Sequence, residues 1–156
     1  MNAQGTLTRI TAALHQVRLE SILIGNAAAA LRGAPVTTMD FDFMFRKTPG
    51  NIRKLKRLAN VLHGVILRPF YPISGLYRLV VEDEGLQLDF LSIIDGVKSF
   101  ESLRSRAESV AFGRHSLVVA SLDDIIRSKK AVGRPRDLAV LEILERTQRE
   151  AKKQES

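Results

Sequence analysis

A mixed α/β sheet followed by a helical C-terminal part is the fold class the sequence predicts, and three observations predict it. Through the first 95 residues, apolar runs of strand length alternate with segments of helical period. Two of those strands carry aspartates in otherwise apolar surroundings. From Asp95-Gly96 onward the periodicity turns mostly helical. The chain has 156 residues, which suits one structural unit: a core over 1–95 and a mostly helical extension, 96–156, packed on it.

Each element has its own signal. Met1 to Arg18 lacks acids and carries Arg9 and Arg18, as an organelle transit peptide does, but Leu7, Ile10, Ala13, Leu14 and Val17 recur at helical spacing, which predicts a packed first helix. Ser21 to Gly25 reads as a short buried strand. Asn26 then opens a helix over Ala27 to Arg32, stopped by Gly33 and Pro35. Met39 to Phe45 alternates in period two. After Pro49-Gly50 comes an amphipathic helix with Ile52, Leu55, Leu58, Ala59 and Leu62 on one side. Leu76 to Val81 and Leu86 to Ser92 flank the polar turn Glu82-Asp83-Glu84-Gly85, a hairpin signal. A strand pair is expected around Val110 and Leu117 to Val119. Ser121 reads as an N-cap for Leu122 to Val132, and Arg134-Pro135 starts a last helix to about Lys152.

Composition narrows the function classes. Lys plus Arg number 24 and Asp plus Glu 17, a net charge of +7; 45% of residues are hydrophobic and 26% charged, enough for a real core. With no Cys, disulfides, thiolate metal sites and a Cys nucleophile are excluded. Trp is absent and aromatics make up 6%, which weighs against a row of base-stacking platforms. No apolar run approaches the roughly 20 residues of a membrane span, and no secretory segment stands out, so no membrane partner and a cytoplasmic location are expected.

The sharpest chemical signal is Met39-Asp-Phe-Asp-Phe-Met-Phe45. Side chains alternate along a strand, so Met39, Phe41, Phe43 and Phe45 face the core together while Asp40 and Asp42 stand on the other face, their Cα atoms about 7 Å apart. Like charges so placed need solvent or a cation between them. Asp89 sits mid-strand in Gln87-Leu-Asp-Phe-Leu91 and faces away from Leu88 and Phe90. If the two strands are neighbours, three carboxylates converge, a donor set that suits Mg²⁺ above all. Two such ions, roughly 3.5–4 Å apart, can hold a triphosphate and an attacking oxygen in line. Gly25-Asn26, between a strand and a helix, lets a phosphate approach the backbone, with Asn26 as cap or amide donor.

Together these residues resemble the nucleotidyltransferase superfamily of DNA polymerase beta, whose signature runs strand, Gly-Gly or Gly-Ser step, helix, then Asp-x-Asp or Asp-x-Glu and a later third acid. Within it, the likeness is nearer to bacterial nucleotidyltransferase-like proteins that include the toxins of abortive-infection type IV systems. Their late Lys and Gly-Arg-Pro-Lys-Asp-Leu stretch is matched at Lys129, Gly133, Arg134, Pro135, Asp137 and Leu138. The second Gly or Ser of the signature is Asn26 here. The Arg found two residues before the Thr is Val36, while Thr38 is kept. The resemblance implies a minimal nucleotidyltransferase fold and two Mg²⁺ ions, with Mn²⁺ as a substitute, on Asp40, Asp42 and Asp89. It also implies that Asp89 helps to deprotonate an acceptor hydroxyl. Lys129 would neutralise phosphate charge, and Gly25, Asn26, Thr38 and Arg134 would contact the nucleotide. A structural Arg134–Asp137 or Lys129–Asp137 pair is the plainer reading of Asp137.

Between Asp42 and Glu82 there is no acid, while Arg46, Lys47, Arg53, Lys54, Lys56, Arg57, Arg68 and Arg78 are all basic. Because this block follows the acid strand directly, its field is expected beside the site, where residues 46–78 would attract the NTP or an RNA or tRNA acceptor, with Phe70, Tyr71 and Tyr77 as the nearby aromatics. A solvated basic helix is the bland alternative. His15, His63 and His115 read as structural or solvated. The function expected is nucleoside monophosphate transfer from an NTP to a hydroxyl of RNA, protein or a small molecule, in a toxin held by an antitoxin protein or in a free-standing enzyme. The alternative is a non-catalytic nucleotide- or RNA-binding module of the same fold.

Overall fold

The computed structural model describes residues 3–36, 38, 40–67 and 75–155. The chain order is α1 (Ala3–Val17), β1 (Ser21–Ile24), α2 (Gly25–Leu31), β2 (Asp40–Phe45), α3 (Pro49–Leu62), β3 (Val65–Leu67), β4 (Leu76–Val81), a 3₁₀ turn (Glu82–Glu84), β5 (Leu86–Leu91), α4 (Phe100–Arg106), β6 (Glu108–Phe112), β7 (His115–Val119), α5 (Leu122–Val132) and α6 (Pro135–Glu155). The strands form one seven-stranded mixed sheet in the order β3-β4-β5-β2-β1-β7-β6.

Local chemistry accounts for the main boundaries. Thr48 caps α3, accepting from the Asn51 N–H, and Pro49 supplies the first-turn φ. Ser121 caps α5 through the Asp124 N–H, and Gly133, with φ 67, ends that helix in the left-handed conformation that releases the chain into α6. The β4–β5 hairpin closes through Gly85 at φ 61, pairing Val81 with Leu86 and, five steps out, Leu76 with Leu91. Met39, expected as the first inward residue of β2, lies outside the described residues.

The period-two reading of β2 holds. Phe41, Phe43 and Phe45 are 0–2% exposed, and Phe43 stacks on its cross-strand partner Phe90 at 5.0 Å between ring centroids. Tyr77 is buried against Phe45, edge to face at 6.0 Å, so it belongs to the core and offers no platform for a base. Helices α1 and α3 pack on each other and bury Leu7, Ile10 and Leu14 with Leu55, Leu58 and Leu62.

Three features depart from or extend the sequence reading. Strand β3 was not expected: its three residues pair antiparallel with β4, and a segment so short carries no periodic signal of its own. Helix α2 starts at Gly25 rather than after Asn26, with Ile24 at the N-cap position and no side-chain cap, so Asn26 sits inside the first turn. Finally, β7 runs parallel to β1, adding the expected strand pair to the main sheet. Arg32, at the end of α2, ties this junction by donating to the Ala120 and Val119 carbonyls and to Glu108. The Ala120 N–H in turn donates to Leu23 O.

Candidate active site

Strand register puts the three aspartates on one face of the sheet, though not close enough together for all three to hold one metal ion. β2 and β5 are parallel neighbours that pair Asp40 with Gln87 and Asp42 with Asp89, so all four side chains share one face. Asp40 is exposed, Asp42 half-buried and Asp89 9% exposed. Burial pushes the Asp42 carboxyl up from 3.8 to about 6, and the charges of Asp89 and Asp40 add to the rise. Lys129 and Arg78 oppose it without cancelling it.

Gly25 is required by this acid as much as by any ligand. Its φ is +69, and a Cβ there would stand 2.8 Å from Asp42 Oδ2, closer than two non-bonded heavy atoms of this kind settle. The β1–α2 step therefore leaves room for the carboxylate itself. Thr38 supports the neighbouring acid: its hydroxyl accepts from the Asp40 N–H at 3.0 Å and so opens the strand. In the first turn of α2, Asn26 Oδ1 is buried with no hydrogen-bond partner among the described residues, an arrangement that costs free energy until a donor or cation arrives.

The cations come mainly from the C-terminal segment. Lys129 on α5 lies 3.7 Å from Asp137 Oδ1, and Arg134 makes a two-pronged contact with the same carboxylate at 2.6 and 3.2 Å. Asp137 is buried, and Arg134 holds its carboxyl below the usual range. Burial lowers the Lys129 ammonium, while Asp137 and, more weakly, Asp42 raise it. Both pairings foreseen for Asp137 are thus present, and they aim two cations into the same cleft as the acids.

That cleft has a volume of about 630 Å³, within the range of small-molecule sites. All eight residues singled out in sequence line it: Gly25, Asn26, Thr38, Asp40, Asp42, Asp89, Lys129 and Arg134. Its apolar wall includes Leu91, Ile93, Ile94 and Val97. Gly96 lets this loop press on α5, since a Cβ there would meet Arg127 O at 2.8 Å.

The basic block does not sit where the sequence placed it. Of Arg46 through Arg78, Arg78 alone lines the cleft among the described residues, and none of the lining residues comes from α3, which carries Arg53, Lys54, Lys56 and Arg57. Chain proximity to the acid strand misled, because α3 starts from the far end of β2. Arg46 pairs instead with Glu20 and Glu101 and lies over the Phe100 ring. Arg68, Phe70 and Tyr71 fall outside the described residues.

Arg78, expected near the site only as a member of the basic block, is tied to one of the acids, a contact the sequence reading did not foresee. It faces Asp89 directly across β4–β5 and donates from Nε to Oδ1 at 2.9 Å and from Nη2 to Oδ2 at 3.2 Å. The signal was available: pairing the expected hairpin outward from Glu82–Gly85 puts position 78 opposite position 89.

No family model and no curated protein sequence matches the chain. Solved structures do match it in fold. The antibiotic-resistance factor ANT(2'')-Ia superposes with a TM-score of 0.64 at 14% identity, over 90% of this chain and 81% of that one. The same factor in complex with adenylyl-2''-tobramycin gives 0.62 at 16%, over 90% and 86%. A Thermotoga maritima protein described as a nucleotidyltransferase gives 0.61 at 16%, over 88% and 89%. The chain therefore has a nucleotidyltransferase fold.

Proposed function

We propose that this chain is a Mg²⁺-dependent nucleotidyltransferase. The observation that carries the reading is the parallel register that sets Asp42 beside Asp89, with Asp40 two residues along the same face and Gly25 cut back to admit them. A fold gains nothing structural from burying Asp42 beside like charges that, with burial, raise its proton affinity, and such a perturbed group in a cleft marks a functional site. The donor set is all oxygen, as Mg²⁺ prefers. Asp40 and Asp42 would hold the ion, which supplies charge neutralisation and alignment of the triphosphate. The adenylylated product carried by ANT(2'')-Ia in the same fold supports nucleotidyl transfer as the reaction class.

In this reading the acceptor oxygen forms a bond to the α-phosphorus, the bond to the bridging oxygen of the leaving pyrophosphate breaks, and the hydroxyl proton passes to the carboxylate cluster. Lys129 and Arg134, held by Asp137, face the charge that develops on the phosphates. Gly25 and Thr38 act through the carboxylates, the first by making room and the second by fixing the start of β2.

Incubation with α-labelled NTPs and Mg²⁺ tests this. Label moves to an acceptor, pyrophosphate is released, and Asp40→Ala and Asp42→Ala abolish both. Offering RNA with a free 3′ end, protein and small hydroxyl compounds in parallel separates the acceptor classes, and toxicity on expression, relieved by a partner protein, would mark an abortive-infection toxin. Thermal stabilisation by NTP that needs no divalent ion would instead make the chain a binding module.

A further inference from the structure

Asp89 is the third acid of the cluster, yet both of its oxygens are already engaged. Besides the two bonds from Arg78, Gln87 Nε2 donates to Oδ2 at 3.3 Å. The arrangement is built by the fold: Arg78 and Asp89 are direct partners in the β4–β5 register, and the Asp89 side chain is only 12% exposed. A guanidinium keeps its charge at any pH the protein meets, and its fork matches a carboxylate in two places at once. Asp40 and Asp42 have no such partner among the described residues. Nor, among those residues, do three or more His, Cys, Asp or Glu side chains gather closely enough to hold one metal ion together.

We propose that Arg78 stands at Asp89 in the place of a second divalent cation, so that the site takes a single ion, held by Asp40 and Asp42, with each nucleoside triphosphate. The inference rests on the nucleotidyl-transfer reading. Arg78 and Gln87 already use three of the roughly four lone-pair sites of Asp89, both of those on Oδ2 among them, and a cation there would sit beside a fixed positive charge. Arg78 also lines the cleft, with 37% of its side chain exposed. Two of its five N–H donors are spent on Asp89, which leaves the others to meet phosphate or acceptor oxygens. One side of the cleft is thus charged by Lys129 and Arg134, and the other by Arg78.

Equilibrium dialysis against Mn²⁺ and a non-hydrolysable NTP tests this, read as ions bound per nucleotide bound. The expected ratio is one for the unaltered protein, one for Asp89→Asn and two for Arg78→Gln, in which Asp89 is released. Two ions in the unaltered protein, loss of an ion in Asp89→Asn, or a single ion in an Arg78→Gln protein with native circular dichroism overturns it. Should Arg78→Gln fail to fold, the unaltered protein and Asp89→Asn still decide, because an Asp89-held ion shows as a drop between them. Nucleotide bound with no ion at all defeats the metal-dependent reading beneath the proposal, a result distinct from a ratio of two.

Discussion

Aspartates line the same cleft in two sets, and the fold treats them in opposite ways. On α5 and α6, each buried acid is matched. Asp124, with a side chain 0% exposed, takes two bonds from Arg106, one from the Ser121 hydroxyl and a flanking contact from Arg127. Asp137 takes Arg134 and Lys129. On β2, Asp40 and Asp42 have no ion-pair partner among the described residues, and Asp42 is raised by burial and then by its acidic neighbours. Asp89 lies between these extremes, on the acid face but neutralised by Arg78. Matched acids are what a fold does with buried charge for its own sake. Unmatched ones are tolerated where a ligand supplies the missing charge.

Mutating one acid from each set should break the comparison most sharply, because activity and stability move in opposite directions. Asp42→Asn should lower nucleotidyl transfer by about three orders of magnitude, the several kcal/mol that charge stabilisation contributes, while raising the melting temperature at neutral pH. Labelled-nucleotide transfer and calorimetry on the same preparation check both signs. Next in size, Asp124→Ala should cost about 1–3 kcal/mol, since it removes the buried acceptor of both Arg106 bonds and leaves the Ser121 hydroxyl without its carboxylate, read from urea unfolding. Asp137→Ala should cost somewhat less, because fewer side-chain bonds are lost with it, and it should also weaken NTP binding through Lys129.

The same contrast appears in pH. An Asp42 carboxyl raised to about 6 in the folded protein holds its proton in the window where the unfolded chain has already lost its own. The folded state then binds more protons, so stability falls as pH rises from about 4 to about 6, by an amount on the order of 1–3 kcal/mol. In Asp42→Asn that part of the slope should vanish, and Mg²⁺ should restore stability in the unaltered protein only above that window. Smaller again, Gly25→Ala should cost about 1–2 kcal/mol from its left-handed backbone alone and should displace Asp42, a loss visible in both melting and transfer. Smallest of all, Arg53→Glu or Lys56→Glu on α3 should change stability by no more than about 0.5 kcal/mol and leave NTP-dependent stabilisation intact.

Much of this was legible in the chain because it depends on neighbours in sequence. Period-two alternation puts Asp40 and Asp42 on one face, hydroxyl and proline caps mark α3, α5 and α6, and the Glu82–Gly85 turn aligns the hairpin. Asp40, Asp42 and Asp89 likewise stand out as charged groups in apolar runs. Arg78 was legible as part of a basic block but not as the partner of Asp89, because that pairing runs across the hairpin and not along the strand. The basic block was misplaced because sequence adjacency to β2 was taken for adjacency to the site.

By itself, then, the order of residues settled most of the secondary elements, the sidedness of the acid-bearing strands and the types of group available for chemistry, all of which follow from backbone geometry over a few positions. Only the tertiary structure decided that β5 lies beside β2 in parallel, that β7 joins β1 from the far end of the chain, and which acid receives which cation. Those choices depend on contacts between segments tens of residues apart, where the shared core and the closing of long loops select one pairing among many.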